Sequence, residues 1–187
     1  MAYRIIKIVV ASPSDVVRER ELLLNHLPAK FVRDKFEELC NARIIVEGWE
    51  EVPSQTGYAQ DIINSVLIKN ADIVIAVFRH KLGSPTINIK TGKNRFPSGT
   101  AEELLYAIRK NKQNKKPMGM AFFYSKPPSF SILSFKQKKE WARLEEFKRE
   151  ISNEILYKIY DEDEEKLLRT LCKDICELIR THKLLAV

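Results

Sequence analysis

Five short apolar runs, rich in β-branched residues, recur along the chain and are separated by stretches of helical period. Ile5-Ile6-Lys7-Ile8-Val9-Val10, Ile44-Ile45-Val46-Glu47-Gly48-Trp49, Asp72-Ile73-Val74-Ile75-Ala76-Val77-Phe78, Met118-Gly119-Met120-Ala121-Phe122-Phe123-Tyr124 and Ile155-Leu156-Tyr157-Lys158-Ile159-Tyr160 read as strands. The first and third are almost unbroken, as strands covered on both faces are. Between them apolar residues repeat at three- and four-residue spacing. Val16, Leu22, Leu23 and Leu27 form one stripe that Pro28 breaks or kinks, and Phe31, Phe36 and Leu39 continue it to Cys40. Ile62, Ile63, Val66 and Leu67 mark a helix over 58–69. Trp141, Leu144, Phe147 and Ile151 mark one over 136–153, and Leu167, Leu168, Leu171, Ile175 and Ile179 one over 162–182.

Strand alternating with helix predicts an α/β fold with a parallel sheet and helices on both faces. For five strands the flavodoxin-like order 2-1-3-4-5 is expected, in a single domain over 1–187. Its crevice lies outside the carboxyl ends of strands one and three. The loop Ala11-Ser12-Pro13-Ser14-Asp15 and the long segment 79–103 should therefore meet at one mouth.

Two helix starts carry candidate chemistry. Ser12 can cap a helix beginning at Pro13, with Asp15 completing an S-x-x-D box. In Ser98-Gly99-Thr100-Ala101-Glu102-Glu103, Thr100 can act as N-cap, with Glu103 reaching back to close a capping box. The same Glu103, at the sheet's carboxyl edge, can instead stand beside a sugar carbon and stabilise the cation formed as a C–N bond breaks. Both readings remain open on these residues alone.

Composition narrows the classes. With 187 residues, 44% of them hydrophobic, the chain can bury one substantial core. No apolar run approaches the ~20 residues of a membrane span, and Met1-Ala2-Tyr3-Arg4 leads directly into a strand rather than a signal peptide. Cys40, Cys172 and Cys176 are an odd set without a Cys-x-x-Cys pair, which suits reduced thiols and a cytoplasmic location. His26, His80 and His182 are scattered, so no metal site is expected. The net charge of +7 raises nucleic acid as a partner. Much of the excess sits in the run 109–116, which has no interleaved aromatic residue and reads as a solvated loop, so nucleic acid is not expected. Neither a GxGxxG nor a Walker sequence is present.

Val9-Val10-Ala11-Ser12-Pro13-Ser14-Asp15-Val16-Val17-Arg18-Glu19-Arg20, the strand 72–78, Leu82-Gly83-Ser84-Pro85-Thr86, Ser98-Gly99-Thr100-Ala101-Glu102-Glu103, and the segments 141–148 and 157–160 together resemble a bacterial family known as a domain of unknown function. That family is similar to Toll/interleukin-1-receptor (TIR) domains and to nucleoside 2-deoxyribosyltransferases. In the transferases a Gly-x-x-x-Glu-apolar-x-x-Ala pattern holds the nucleophilic glutamate, and Gly99 to Ala107 reproduces it with Glu103 in that place. In NAD-cleaving TIR domains the catalytic glutamate opens a helix in a similar pattern. Both select Glu103, leaving Glu102 as a partner of the helix dipole.

The resemblance implies an NAD+ glycohydrolase or ADP-ribosyl cyclase acting in antiphage defence signalling, with NAD+ as substrate and no separate cofactor. It implies self-association, or other defence proteins, as partners. Two rivals stand beside it: a nucleoside or nucleotide N-ribosyl hydrolase or transferase using the same glutamate, and a non-catalytic module for nucleotide binding or assembly. Nicotinamide leaves as a neutral molecule and needs no proton, whereas a purine or pyrimidine benefits from an acid. The sequence offers no second carboxylate beside Glu103 except Asp15. Pro97 stands where the transferases often carry an Asp, and Arg79 where the family often has an aromatic. Substrate contacts are expected from Ser12, Asp15 (to ribose hydroxyls), Gly83, Ser98, Gly99 and Thr100. Trp49 and Tyr58 either stack on a base or pack in the core, and Arg79 either meets a phosphate or forms a surface ion pair.

Overall fold

The computed structural model describes residues 3–114 and 116–182; Met1 and Ala2 of the leader reading and Lys115 of the basic run lie outside them. Strands β1 (Arg4–Ala11), β2 (Ala42–Glu47), β3 (Ile73–Phe78), β6 (Met118–Tyr124) and β7 (Lys158–Tyr160) form one parallel sheet in the order β2-β1-β3-β6-β7. This departs from the expected 2-1-3-4-5 because two short strands intervene. β4 (Thr86–Ile87) and β5 (Asn94–Phe96) pair as an antiparallel hairpin inside the segment read as one long loop. The chain leaves β1 toward β2 and returns past it to β3, so the connections diverge between β1 and β3, where open α/β sheets place their crevice.

Alternation along the strands feeds two cores. Ile8, Val10, Ile73, Ile75, Phe122 and Tyr124 point to one face, against α2 (Leu27–Arg33), α3 (Phe36–Cys40) and α7 (Glu164–Thr181). Val9, Ala11, Val74, Ala76, Phe78 and Phe123 point to the other. There they meet Leu67 and Ile68 after α4 (Ala59–Val66), Leu104 and Ala107 of α5 (Gly99–Asn114), and Leu144 and Phe147 of α6 (Phe135–Ile151). Six consecutive buried residues in β3 follow from this two-sided cover.

The first helical region differs most from expectation. Residues 13–16 form a turn, and α1 (Val17–Glu21) starts after Val16 without a side-chain cap. The Ser12–Asp15 box does not form because both side chains bond elsewhere. Ser12 Oγ accepts from Arg20 Nη1 at 3.0 Å, and Asp15 Oδ2 accepts from the His80 backbone N–H at 2.9 Å. Pro28 does not end the helix. A π-helical turn, Leu22–His26, precedes it, widening the turn where the proline lacks an N–H donor and its ring needs room. Among the described residues no helix is long and apolar enough to cross a membrane.

Candidate active site

Helix α5 is capped two residues earlier than expected. Ser98, fully buried, accepts the Ala101 N–H on its Oγ at 3.0 Å, and its carbonyl accepts the Glu102 N–H at 2.9 Å. Ser98, not Thr100, is therefore the N-cap, and the Thr100–Glu103 capping box is absent. Glu103 falls beyond the capped turn, its carboxylate free of any duty to the helix terminus.

That carboxylate forms part of the wall of a cleft of about 640 Å³. The loop after β1 contributes Ser12, Pro13 and Ser14, the loop after β3 contributes Lys81, Gly83 and Ser84, and Ser98, Gly99 and Thr100 bring the helix start to the same wall. Trp49, Gln60 and Ile63 close one side; Lys136, Gln137 and Glu140 of α6 close another. The loops after β1 and β3 thus share one mouth at the carboxyl edge of the sheet.

Glu103 is only 8% exposed, and Gln60 Nε2 donates to its Oε1 at 2.8 Å. Burial pushes its pKa from the ordinary carboxylate value up to about 7; the Gln60 bond and the charge of Arg20 oppose the rise, while neighbouring Glu102 adds to it. Gly99 makes the Gln60 contact possible. A Cβ at Gly99 would lie 2.6 Å from Gln60 Oε1, closer than packed atoms allow. The glycine four residues before the glutamate thus has a physical reason here: it clears the space through which a donor on α4 reaches the carboxylate.

Glu102 is as buried as its neighbour but wholly committed. Asn64 Nδ2 donates to its Oε1 at 2.8 Å, and Arg95, on β5, grips the same carboxylate while its Nη1 reaches Asp61 at 2.6 Å. The two adjacent glutamates therefore differ in kind: Glu102 is ion-paired into the scaffold, whereas Glu103 has an amide donor and faces the cleft.

The remaining predicted residues divide. Ser12, Gly83 and Trp49 lie on the cleft; Trp49 is exposed, with the Arg20 guanidinium 5.8 Å from its ring centre, so it does not pack in the core. Gly83 takes φ +101°, and a Cβ there would crowd Ser98 Cβ at 3.3 Å. Tyr58 lies off the cleft: its hydroxyl accepts the Ile87 N–H at 2.9 Å, and Arg95 stacks on its ring, so it braces the hairpin. Arg79 also lies off it, paired with buried Glu19 at 2.7 Å and 3.9 Å above the Tyr124 ring. Asp15 is held across the loop by His80 rather than lining the cleft.

Sequence reasoning missed Gln60, Lys81, Lys136 and Glu140. Gln60 had a signal, as a polar residue three and seven positions before Ile63 and Leu67, on what becomes the buried face of α4. Glu140 is the cleft's second carboxylate, and it is engaged: Arg143 pairs with Oε1, and Oε2 accepts the Gly83 N–H at 3.3 Å. Arg143 also bonds the Gly83 carbonyl at 3.1 Å and the Pro97 carbonyl, which ties the cleft's two loop walls to α6.

The geometry defines a doubly wound α/β domain with a buried carboxylate at its switch-point cleft. Residues 7–172 match the family described as Domain of unknown function (DUF4062), and the chain belongs to that family. Comparison with curated proteins gave no significant match.

Proposed function

We propose that the protein is a TIR-like NAD+ glycohydrolase or ADP-ribosyl cyclase in which Glu103 stabilises or traps the ribosyl cation; a place in defence signalling rests on the family resemblance alone. The observation that carries the reading is the state of the Glu103 carboxylate. It is buried, lines a cleft large enough for a nucleotide, and is neither a helix cap nor ion-paired among the described residues. A carboxylate desolvated in this way gains more from an approaching positive charge than one already bound to an arginine. As the glycosidic C–N bond breaks, its electron pair passes to the pyridinium nitrogen and neutralises it, while positive charge appears on the sugar carbon beside Glu103. Water attack on that carbon gives hydrolysis; attack by a nitrogen of the substrate's own adenine gives a cyclic product.

The engagement of Glu140 favours this reading over cleavage of a plain nucleoside. A nucleoside base leaves more readily when protonated, and the second cleft carboxylate accepts from a guanidinium and a backbone N–H instead of offering a proton. Incubation of the pure protein with NAD+, with nicotinamide release followed over time, is the direct test. Release that Glu103→Ala reduces by about a thousandfold is expected, in line with loss of a principal transition-state contact. Equal release by the variant, or none by the wild type in any oligomeric state, overturns the proposal.

A further inference from the structure

Charged groups of both signs line the cleft. Gln60, Gly99, Thr100 and Glu103 line it from α4 and the start of α5, and Lys81 and Lys136 reach the same hollow from other elements, the loop after β3 and the first turn of α6. The arginines around this edge of the sheet are already matched: Arg20 to Glu50, Arg79 to Glu19, Arg95 to Glu102 and Arg143 to Glu140. Lys81 and Lys136 have no hydrogen-bond or ion-pair partner among the described residues. Glu140, on the same cleft, is matched by Arg143 and pairs with neither lysine. The first turn of α6 holds no acidic residue either, although a helix N-terminus favours one. Two unmatched cations lining one hollow give it a positive potential that favours an anion.

We propose that Lys81 and Lys136 form the anion-binding part of this cleft, and that its ligand is a nucleoside phosphate or diphosphate rather than a free nucleoside. This rests on the reading of Glu103 as the group beside the sugar, since that reading fixes which end of the ligand lies where. The phosphate oxygens accept from the two ammonium groups, and the ribose then lies toward Gly99 and Glu103. The volume of about 640 Å³ accommodates a nucleotide. In this arrangement substrates are distinguished by the charge they carry away from the reacting carbon, so affinity falls with added salt.

Calorimetric titration tests it without need of turnover. ADP-ribose, inorganic pyrophosphate and adenosine are titrated into the wild type and into Lys81→Met, Lys136→Met and the double variant, at low and high salt. ADP-ribose and pyrophosphate are expected to bind, each lysine substitution weakening them about tenfold, the loss of one charge-assisted bond. The ratio of ADP-ribose to adenosine affinity falls accordingly. Absence of ADP-ribose binding, an unaltered affinity in the double variant, or an equal loss for adenosine overturns the assignment. Its failure is separable from that of the enzymatic reading. Lysine-dependent binding without nicotinamide release by the wild type removes only the catalysis. Release whose KM for NAD+, relative to nicotinamide riboside, ignores both lysines removes only the anion site.

Discussion

Gln60 Nε2 lies 2.8 Å from Glu103 Oε1, and this bond ties α4 to α5 at the cleft wall, beside the Asn64–Glu102 bond between the same helices. It is the only hydrogen bond to the Glu103 carboxylate among the described residues, so the orientation of the proposed catalytic group depends on a side chain 43 positions away. The bond favours the ionised form, against the burial that disfavours it.

Gln60→Leu removes that donor while keeping the side chain's bulk. The Glu103 pKa is expected to rise further above about 7, by about one unit, the worth of one such bond. The acidic limb of the pH profile of nicotinamide release moves upward with it, and kcat falls more than KM rises. Carboxyl carbon NMR of Glu103 checks the titration independently of activity; an unmoved midpoint would remove Gln60 from the mechanism.

Gly99→Ala separates two effects of opposite sign. Alanine is favoured over glycine by about 1 kcal/mol in a helix interior and by less at the first helical position, where Gly99 stands. Here its Cβ would lie 2.6 Å from Gln60 Oε1, so a net loss of stability, with the same pH shift as Gln60→Leu, is expected. Urea unfolding of the two variants side by side checks this. A simple gain in stability with unchanged titration would show that Gln60 has another place to go.

Glu103→Gln tests the cost of keeping this carboxylate buried. Its folded pKa of about 7 stands above the unfolded value, so the folded state binds more protons between the two. Stability is greatest below the unfolded value, declines as pH rises through about 7, and is level above that. The amide variant lacks this decline. It is therefore expected to melt with the wild type near the unfolded carboxylate pKa and above it at mildly alkaline pH, by up to about 3 kcal/mol. Thermal melts across that range decide the matter; coincident curves throughout would mean that the carboxylate is well solvated.

Arg95→Met addresses the neighbouring carboxylate. Glu102 is 4% exposed, and removal of its guanidinium leaves a buried charge short of its partner. A loss of about 3 kcal/mol is expected, with Glu102→Gln in the same background restoring part of it. Equilibrium unfolding of the single and double variants measures the coupling.

The apolar periodicity located the sheet strands and the helices that cover them, because burial on two faces imposes a pattern that local sequence carries. The two capping signatures misled for different physical reasons. S-x-x-D at Ser12 and T-x-x-E at Thr100 satisfy a local rule, yet Asp15 bonds a backbone N–H 65 residues away, and Ser98 reaches the orphan donors of α5 first. A tertiary bond displaced the first box, and an earlier local cap displaced the second. The family pattern chose Glu103 over Glu102 without the reason, which lies in Arg95 and Asn64 taking Glu102 out of use. Lys81, Lys136 and Glu140 had no local signal, since their nearness arises only when α6 packs beside the loop after β3. The hairpin was hidden by strands of two and three residues.

The hairpin's turn is built on its own hydrogen bonds, with Asn88 Oδ1 accepting the Lys90 and Thr91 N–H groups at 3.0 and 3.3 Å. Gly92 at its end has no atom within 4 Å of where a Cβ would stand. Its stem, by contrast, is bolted through Arg95 to the residue preceding Glu103. A dye attached at Thr91 would ride on a free tip whose base is anchored to the wall of the cleft, making this short ribbon a built-in mount for an optical reporter of ligand arrival.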